Sequence, residues 1–139
     1  MEREGVEYVV HHLNQAGVRY LVVGGLAVVA HGYTRFTADV DLVVDLENDN
    51  LQRAIQAFSD LGYRPRAPVG LEQFADAMTR ALWIEEKGLT VLSLFSPQHP
   101  WTEVDLFVEA PFDFGRAYAS AANLEIARGL VAPFVSLHD

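Results

Sequence analysis

Asp39-Val40-Asp41-Leu42-Val43-Val44, thirteen residues beyond Gly24-Gly25, is the stretch on which the reading of this chain turns. Its apolar, β-branched character reads as a strand. Side chains alternate across a strand, so Val40, Leu42 and Val44 share one face and Asp39 and Asp41 the other. The two carboxylates then stand roughly 6–7 Å apart between Cα atoms. Acidic residues are depleted in strands, which makes two on one face a chemical signal. Asp105 obeys the same parity in Glu103-Val104-Asp105-Leu106, with Val104, Leu106 and Val108 facing the other way. If the two strands are neighbours, three carboxylates converge.

Such a cluster is costly without a cation. Two carboxylates about 4 Å apart repel by roughly 4 kcal/mol at an effective dielectric near 20. Mg²⁺ relieves this, because it binds through a few carboxylates plus substrate phosphates. A pair of ions bridging nucleophile and leaving group suits in-line displacement at phosphorus. Gly24-Gly25 follows the apolar run Val18 to Val23 and precedes a helix expected over Leu26 to His31. A glycine turn there lets backbone N–H groups approach phosphate oxygens. Competing motifs fail. The glycines do not extend to the dinucleotide-binding pattern, and there is no P-loop Gly-Lys-Ser/Thr. Val43 occupies what would be the next ligand position of an EF-hand.

Working outward, residues 4–16 read as an amphipathic helix, with Val6, Val9, Val10 and Leu13 at helical spacing and Gly17 as its stop. Tyr33 to Thr37 reads as a polar loop. Asn48-Asp49 is expected to cap a helix running to about Leu61, ended by Gly62. Arg64 to Gly70, with two prolines, reads as a loop. Leu71 to Ala81 is expected to be helical and Leu82 to Glu86 a strand, before a turn at Lys87-Gly88. Leu89 to Phe95 and Thr102 to Glu109 read as strands joined by the loop Ser96 to Pro100. Phe112 to Ala121 reads as a helix, and Leu124 to Ile126 and Leu130 to Val135 as short apolar runs around Gly129. The order predicts one α/β (α+β) domain over residues 1–139, a mixed β-sheet with helices packed on it.

Composition bounds the function. Half of the 139 residues are hydrophobic, enough for a core. There is no cysteine, which excludes disulfides, thiolate metal sites and a thiol nucleophile, and fits a cytoplasmic location. The N-terminus does not read as a signal peptide. The longest apolar run, Tyr20 to Ala30, is too short to cross a bilayer, so no membrane partner is expected. The formal charge of −9 repels bulk nucleic acid. It leaves room for local binding.

Other residues carry weaker signals. His31 reads as a helix-end residue, and His11 and His12 face different directions and make a poor metal pair. His99 reads as part of a turn. Ser93, Ser96 and Ser120 lack the His-plus-acid arrangement of a serine hydrolase. Trp83 and Trp101 are expected to be buried, with stacking on a base as the functional alternative. Glu85-Glu86-Lys87 reads as exposed charge. Arg64 and Arg66 read as surface residues, with an acidic acceptor as the functional alternative.

Taken together, Leu21-Val22-Val23-Gly24-Gly25, Asp39-Val40-Asp41 and Val104-Asp105-Leu106 resemble the nucleotidyltransferase superfamily of the DNA polymerase β type. The segment His31 to Asp39 looks like the small bacterial branch that includes AbiEii-type and MenT-like toxins. The likeness covers about residues 5–110. It implies transfer of a nucleoside monophosphate from an NTP to an acceptor hydroxyl, with Mg²⁺, normally two ions, as cofactor. It implies triphosphate contact by Gly24 and Gly25, metal binding by Asp39 and Asp41, and completion of the catalytic metal site by Asp105. Arg35 and Thr37 fall where relatives contact phosphate. The acceptor is left open between RNA, as for a toxin paired with an antitoxin, and a small molecule such as an antibiotic. A non-catalytic nucleotide- or partner-binding module of the same fold is the rival reading, and carboxylates binding an ion for stability alone the blandest. Relatives continue with a basic C-terminal helix about where Ser136-Leu137-His138-Asp139 stands, so the resemblance implies either truncation or a partner, including a homodimer, that supplies it.

Overall fold

A seven-stranded mixed sheet organises the protein, seen in a computed structural model that describes residues 3–24 and 39–136. In chain order the elements are α1 (Arg3–Gln15), β1 (Tyr20–Val23), β2 (Asp39–Val44), α2 (Asn48–Asp60), β3 (Arg64–Pro65), a 3₁₀ turn (Leu71–Ala75), α3 (Ala77–Lys87), β4 (Val91–Phe95), β5 (Glu103–Phe107), α4 (Phe114–Ala119), β6 (Ala122–Ala127) and β7 (Leu130–Phe134). Across the sheet the strands run β3-β4-β5-β2-β1-β7-β6. The β2–β5 and β1–β7 pairs are parallel and the other four antiparallel. The α/β architecture expected from the sequence is therefore present.

The strand alternation divides the sheet into two unequal faces. Val40, Leu42 and Val44 of β2, Val104 and Leu106 of β5, and Leu92 and Leu94 of β4 enter the main core. Helix α1 covers that face with Val6, Val9, Val10 and Leu13, and α2 with Leu51, Ala54 and Phe58. The opposite face carries a small cluster, Leu21, Val23, Val43 and Ala117, the last from α4. One six-residue helix thus contributes the buried helical residue of that cluster, and the carboxylates lie on the same face.

Three local expectations need correction. Arg64–Pro65 is a strand, paired antiparallel with Phe95 and Leu94. A two-residue edge strand bearing a proline gives no alternation to detect. Leu82 to Glu86 is helix, continuous with α3. Arg80 and Trp83, three residues apart, are buried while Leu82, Glu85 and Glu86 are exposed. Gly88 ends the helix in the left-handed conformation, φ 60°. The cap of α2 is Glu47, whose side chain accepts from the Asp49 N–H at 3.1 Å. The helix expected over Leu26 to His31 and the loop Tyr33 to Thr37 lie outside the described residues.

Asn50 holds the sheet to α2. It is fully buried. Its Oδ1 accepts from the Arg19 N–H at 2.7 Å, and its Nδ2 donates to the carbonyls of Arg19 at 3.0 Å and Asp45 at 2.8 Å. One side chain therefore satisfies the chain entering β1 and the chain leaving β2. Asn50→Ala strands those backbone groups and should destabilise by about 1–3 kcal/mol. Urea unfolding checks this, with a lower midpoint and an unchanged slope.

Candidate functional site

Register brings the carboxylates together. In the parallel β2–β5 ladder, Asp41 lies opposite Asp105 and Asp39 opposite Glu103. On its other side Asp41 lies opposite Val23 of β1. Neighbouring strands sit about 4.8 Å apart, so Asp41 and Asp105 project side by side from one face. Both are half-buried, while Asp39, one register step away, is exposed.

Beside Asp105, the pKa of Asp41 is pushed up to about 6. Burial is the largest cause, followed by the charge of Asp105, the hydrogen bond to it, and the charge of Asp39. Each penalises a second negative charge beside the first. A proton shared by the pair removes that penalty, and so does a cation.

Gly24 closes the site on the β1 side. Its φ of 71° suits glycine, and a Cβ built there would overlap the carboxylate of Asp41. The turn favours glycine, and any larger residue would also displace the Asp41 carboxylate. Gly25, Arg35 and Thr37 lie outside the described residues, as does His31.

The donor set suits a hard cation such as Mg²⁺: carboxylate oxygens, and a pair strained by mutual charge. Among the described residues no group of three or more Asp, Glu or His side chains is gathered as a ready-made metal site. Asp41 and Asp105 form a pair, with Asp39 alongside. Mg²⁺ commonly takes its remaining ligands from substrate phosphates and water.

Sequence reasoning passed over Glu103. It lies on the same face, and Arg66 grips it with two nitrogens, at 2.9 and 2.8 Å. The hydrogen bond from Arg66 holds the Glu103 carboxyl below its usual range. Parity with Asp105 was the available signal; a partner 37 positions away left none. Trp83 is buried as expected, whereas Trp101 is 70% exposed. Its turn before β5 carries it away from the core. His99 stands between the rings of Tyr8 and Tyr63, with centroids 5.1 and 6.4 Å away. Ser96 is buried and donates to the Leu61 carbonyl, a structural role. His11 is exposed, and the His12 ring nitrogen meets the Tyr8 carbonyl at 3.0 Å.

No protein-family model and no curated protein matches the sequence. The carboxylate pair and its surroundings therefore carry the functional argument.

The raised pKa of Asp41 has a measurable consequence. Its folded value lies above the ordinary 3.8, so the native state holds the proton more tightly than the unfolded chain. Stability falls as pH rises from about 4 to about 6 and levels off above that. Asp41→Asn mimics the protonated form and does not titrate. In EDTA it should melt above wild type at pH 7.5, with the difference shrinking below pH 6 and vanishing near pH 4. Thermal unfolding of both proteins across that range reads the effect.

Proposed function

We propose that this chain is a Mg²⁺-dependent nucleotidyltransferase, moving a nucleoside monophosphate from an NTP to an acceptor hydroxyl. The observation that carries the reading is the direct pairing of Asp41 with Asp105, with Gly24 pressed against Asp41. Asp41 and Asp105, with Asp39, are the residues to hold the metal. When bound, Mg²⁺ cancels charge on the carboxylates and on the triphosphate.

The chain's own groups have separate tasks. Gly24 and Gly25 are assigned to triphosphate contact. Arg35 and Thr37 are assigned to phosphate contact. Asp105 receives the proton of the acceptor hydroxyl. The acceptor oxygen bonds to the α-phosphorus, the bond from that phosphorus to the bridging oxygen breaks, and pyrophosphate departs. Rate enhancement comes mainly from position and preorganised charge. Among the described residues no helix is long and apolar enough to cross a membrane. The reading places the protein in the cytoplasm, with its NTP donor.

Thermal unfolding with Mg²⁺ and each of the four NTPs tests this. Ligand at about 100 times its dissociation constant adds roughly 2.7 kcal/mol, a shift of several degrees. At least one NTP should give a Mg²⁺-dependent shift, lost in Asp39→Asn/Asp41→Asn along with transfer of label to any acceptor. No shift with any nucleotide refutes the proposal, and so does intact transfer in the double variant.

A further inference from the structure

The site face carries a second feature that the carboxylates do not explain. Arg64, on edge strand β3, and Arg66, directly after it, are exposed. Their guanidinium carbons sit 5.6 and 4.9 Å from the centre of the Phe95 ring. Pairing places them on the carboxylate face: Arg64 lies opposite Phe95, and the Arg66 N–H donates to the Ser93 carbonyl at 2.9 Å. Ser93 in turn lies opposite Asp105. Arg66 is thus two strands from Asp105, roughly 10 Å across the sheet. Two of the ten Lys and Arg residues of a chain with formal charge −9 are concentrated here.

The placement leaves both arginine side chains open to solvent. The Arg66–Glu103 pair lies at the surface, with Arg66 55% and Glu103 35% exposed. Both partners reach solvent, so an incoming phosphate competes with Glu103 for the Arg66 guanidinium. Stacking over Phe95 keeps the guanidinium groups in place meanwhile. The position also has a direction. In-line displacement requires acceptor and leaving group on opposite sides of the phosphorus. With the triphosphate on the Gly24 side of Asp41, the acceptor arrives from the β5-β4-β3 side.

We infer that Arg64 and Arg66, seated on Phe95, form the acceptor subsite and bind backbone phosphates at the 3′ end of a single-stranded polynucleotide. The inference rests on the nucleotidyl-transfer reading for its direction and decides the acceptor class that reading leaves open. Guanidinium groups on this flank repel a polycationic antibiotic and attract phosphate. Trp101, 70% exposed and two residues before Glu103, offers a face on which a base stacks. A chain of nucleotides uses both features; a free phosphate uses one.

The test is fluorescence anisotropy with a labelled twelve-nucleotide single-stranded RNA, titrated at several KCl concentrations. Wild type should bind. Arg64→Ala/Arg66→Ala should lose at least tenfold in affinity at low salt, and its log-log salt slope should flatten by about 1.4, the value for two phosphate contacts on a single strand. Glu103→Gln frees Arg66 and should bind more tightly than wild type, and most of that gain should vanish when Arg66 is also replaced by Ala, where only the lost carboxylate charge acts. The Mg²⁺–NTP melting shift should survive in the arginine variant, which also verifies its fold. RNA affinity and slope unchanged in the arginine variant overturn the subsite, as does wild type that fails to bind RNA. An NTP shift in that same wild type leaves the nucleotidyl-transfer reading standing. Arginine-dependent RNA binding without any NTP shift overturns that reading instead and keeps the polynucleotide site.

Discussion

The parallel pairing of β2 with β5 is the constraint on which the rest of this structure depends. It sets Asp41 beside Asp105 at the spacing of adjacent strands, which two ionised carboxylates tolerate poorly. The opposite face of the same strands holds the arrangement in place. Val40, Leu42, Val104 and Leu106 are buried in the main core. A one-residue slip in either strand would turn its apolar residues outward and its carboxylates into the core. Core burial therefore fixes the register, and the register brings the charges together. The electrostatic penalty is carried by the hydrophobic face.

The unequal coverage of the sheet follows the same logic. Helices α1 and α2 cover the core face, joined there by Phe74 of the 3₁₀ turn and Trp83 of α3. Helix α4 shields Leu21, Val23 and Val43 on the other face. Asp39 and Glu103 begin β2 and β5, so the carboxylates lie at one end of the central strands. Along one row the sheet passes from Arg66 through Ser93 and Asp105 to Asp41, then to Val23 beside Gly24. A cationic edge, a carboxylate centre and a glycine turn lie in sequence on one face. Such an order suits a reaction that must receive two anionic substrates from different sides.

Much of this was legible in the residues, and the exceptions have physical causes. Strand parity follows from local alternation, so the faces of Asp39, Asp41 and Asp105 were readable from single stretches. The helices α1 and α2 announce themselves through apolar spacing and glycine ends. Strand β3 was not readable, because two residues with a proline carry no period. Leu82 to Glu86 misled because its exposed leucine and buried tryptophan mimic a short strand, while the decisive contacts come from Arg80, whose Nη1 donates to the Phe74 carbonyl at 2.5 Å. The grip of Arg66 on Glu103 was invisible for a different reason. It joins residues 37 positions apart through the order of the strands, which no local pattern encodes. Pairings across a sheet are properties of topology, and they decide which of the candidate residues meet.

The same distinction governs the charge. A formal charge of −9 argues against nucleic acid when it is treated as a property of the whole surface. At physiological ionic strength the screening length is about 8 Å, so exposed charges beyond that distance act weakly on an incoming phosphate. What the phosphate meets is the local arrangement. Near β3 that arrangement is two guanidinium groups braced on one ring, with Glu103 paired to one of them. Several of the acidic residues counted in the total are already paired with a cation within the fold: Glu103 with Arg66, and Asp45 and Glu47 with Arg19. A committed carboxylate repels a distant anion less than its formal charge implies. Net charge therefore bounds the association of this protein with bulk polyanions, while an anion at the β3 edge responds mainly to the charges within one screening length of that edge, Arg64, Arg66 and Glu103.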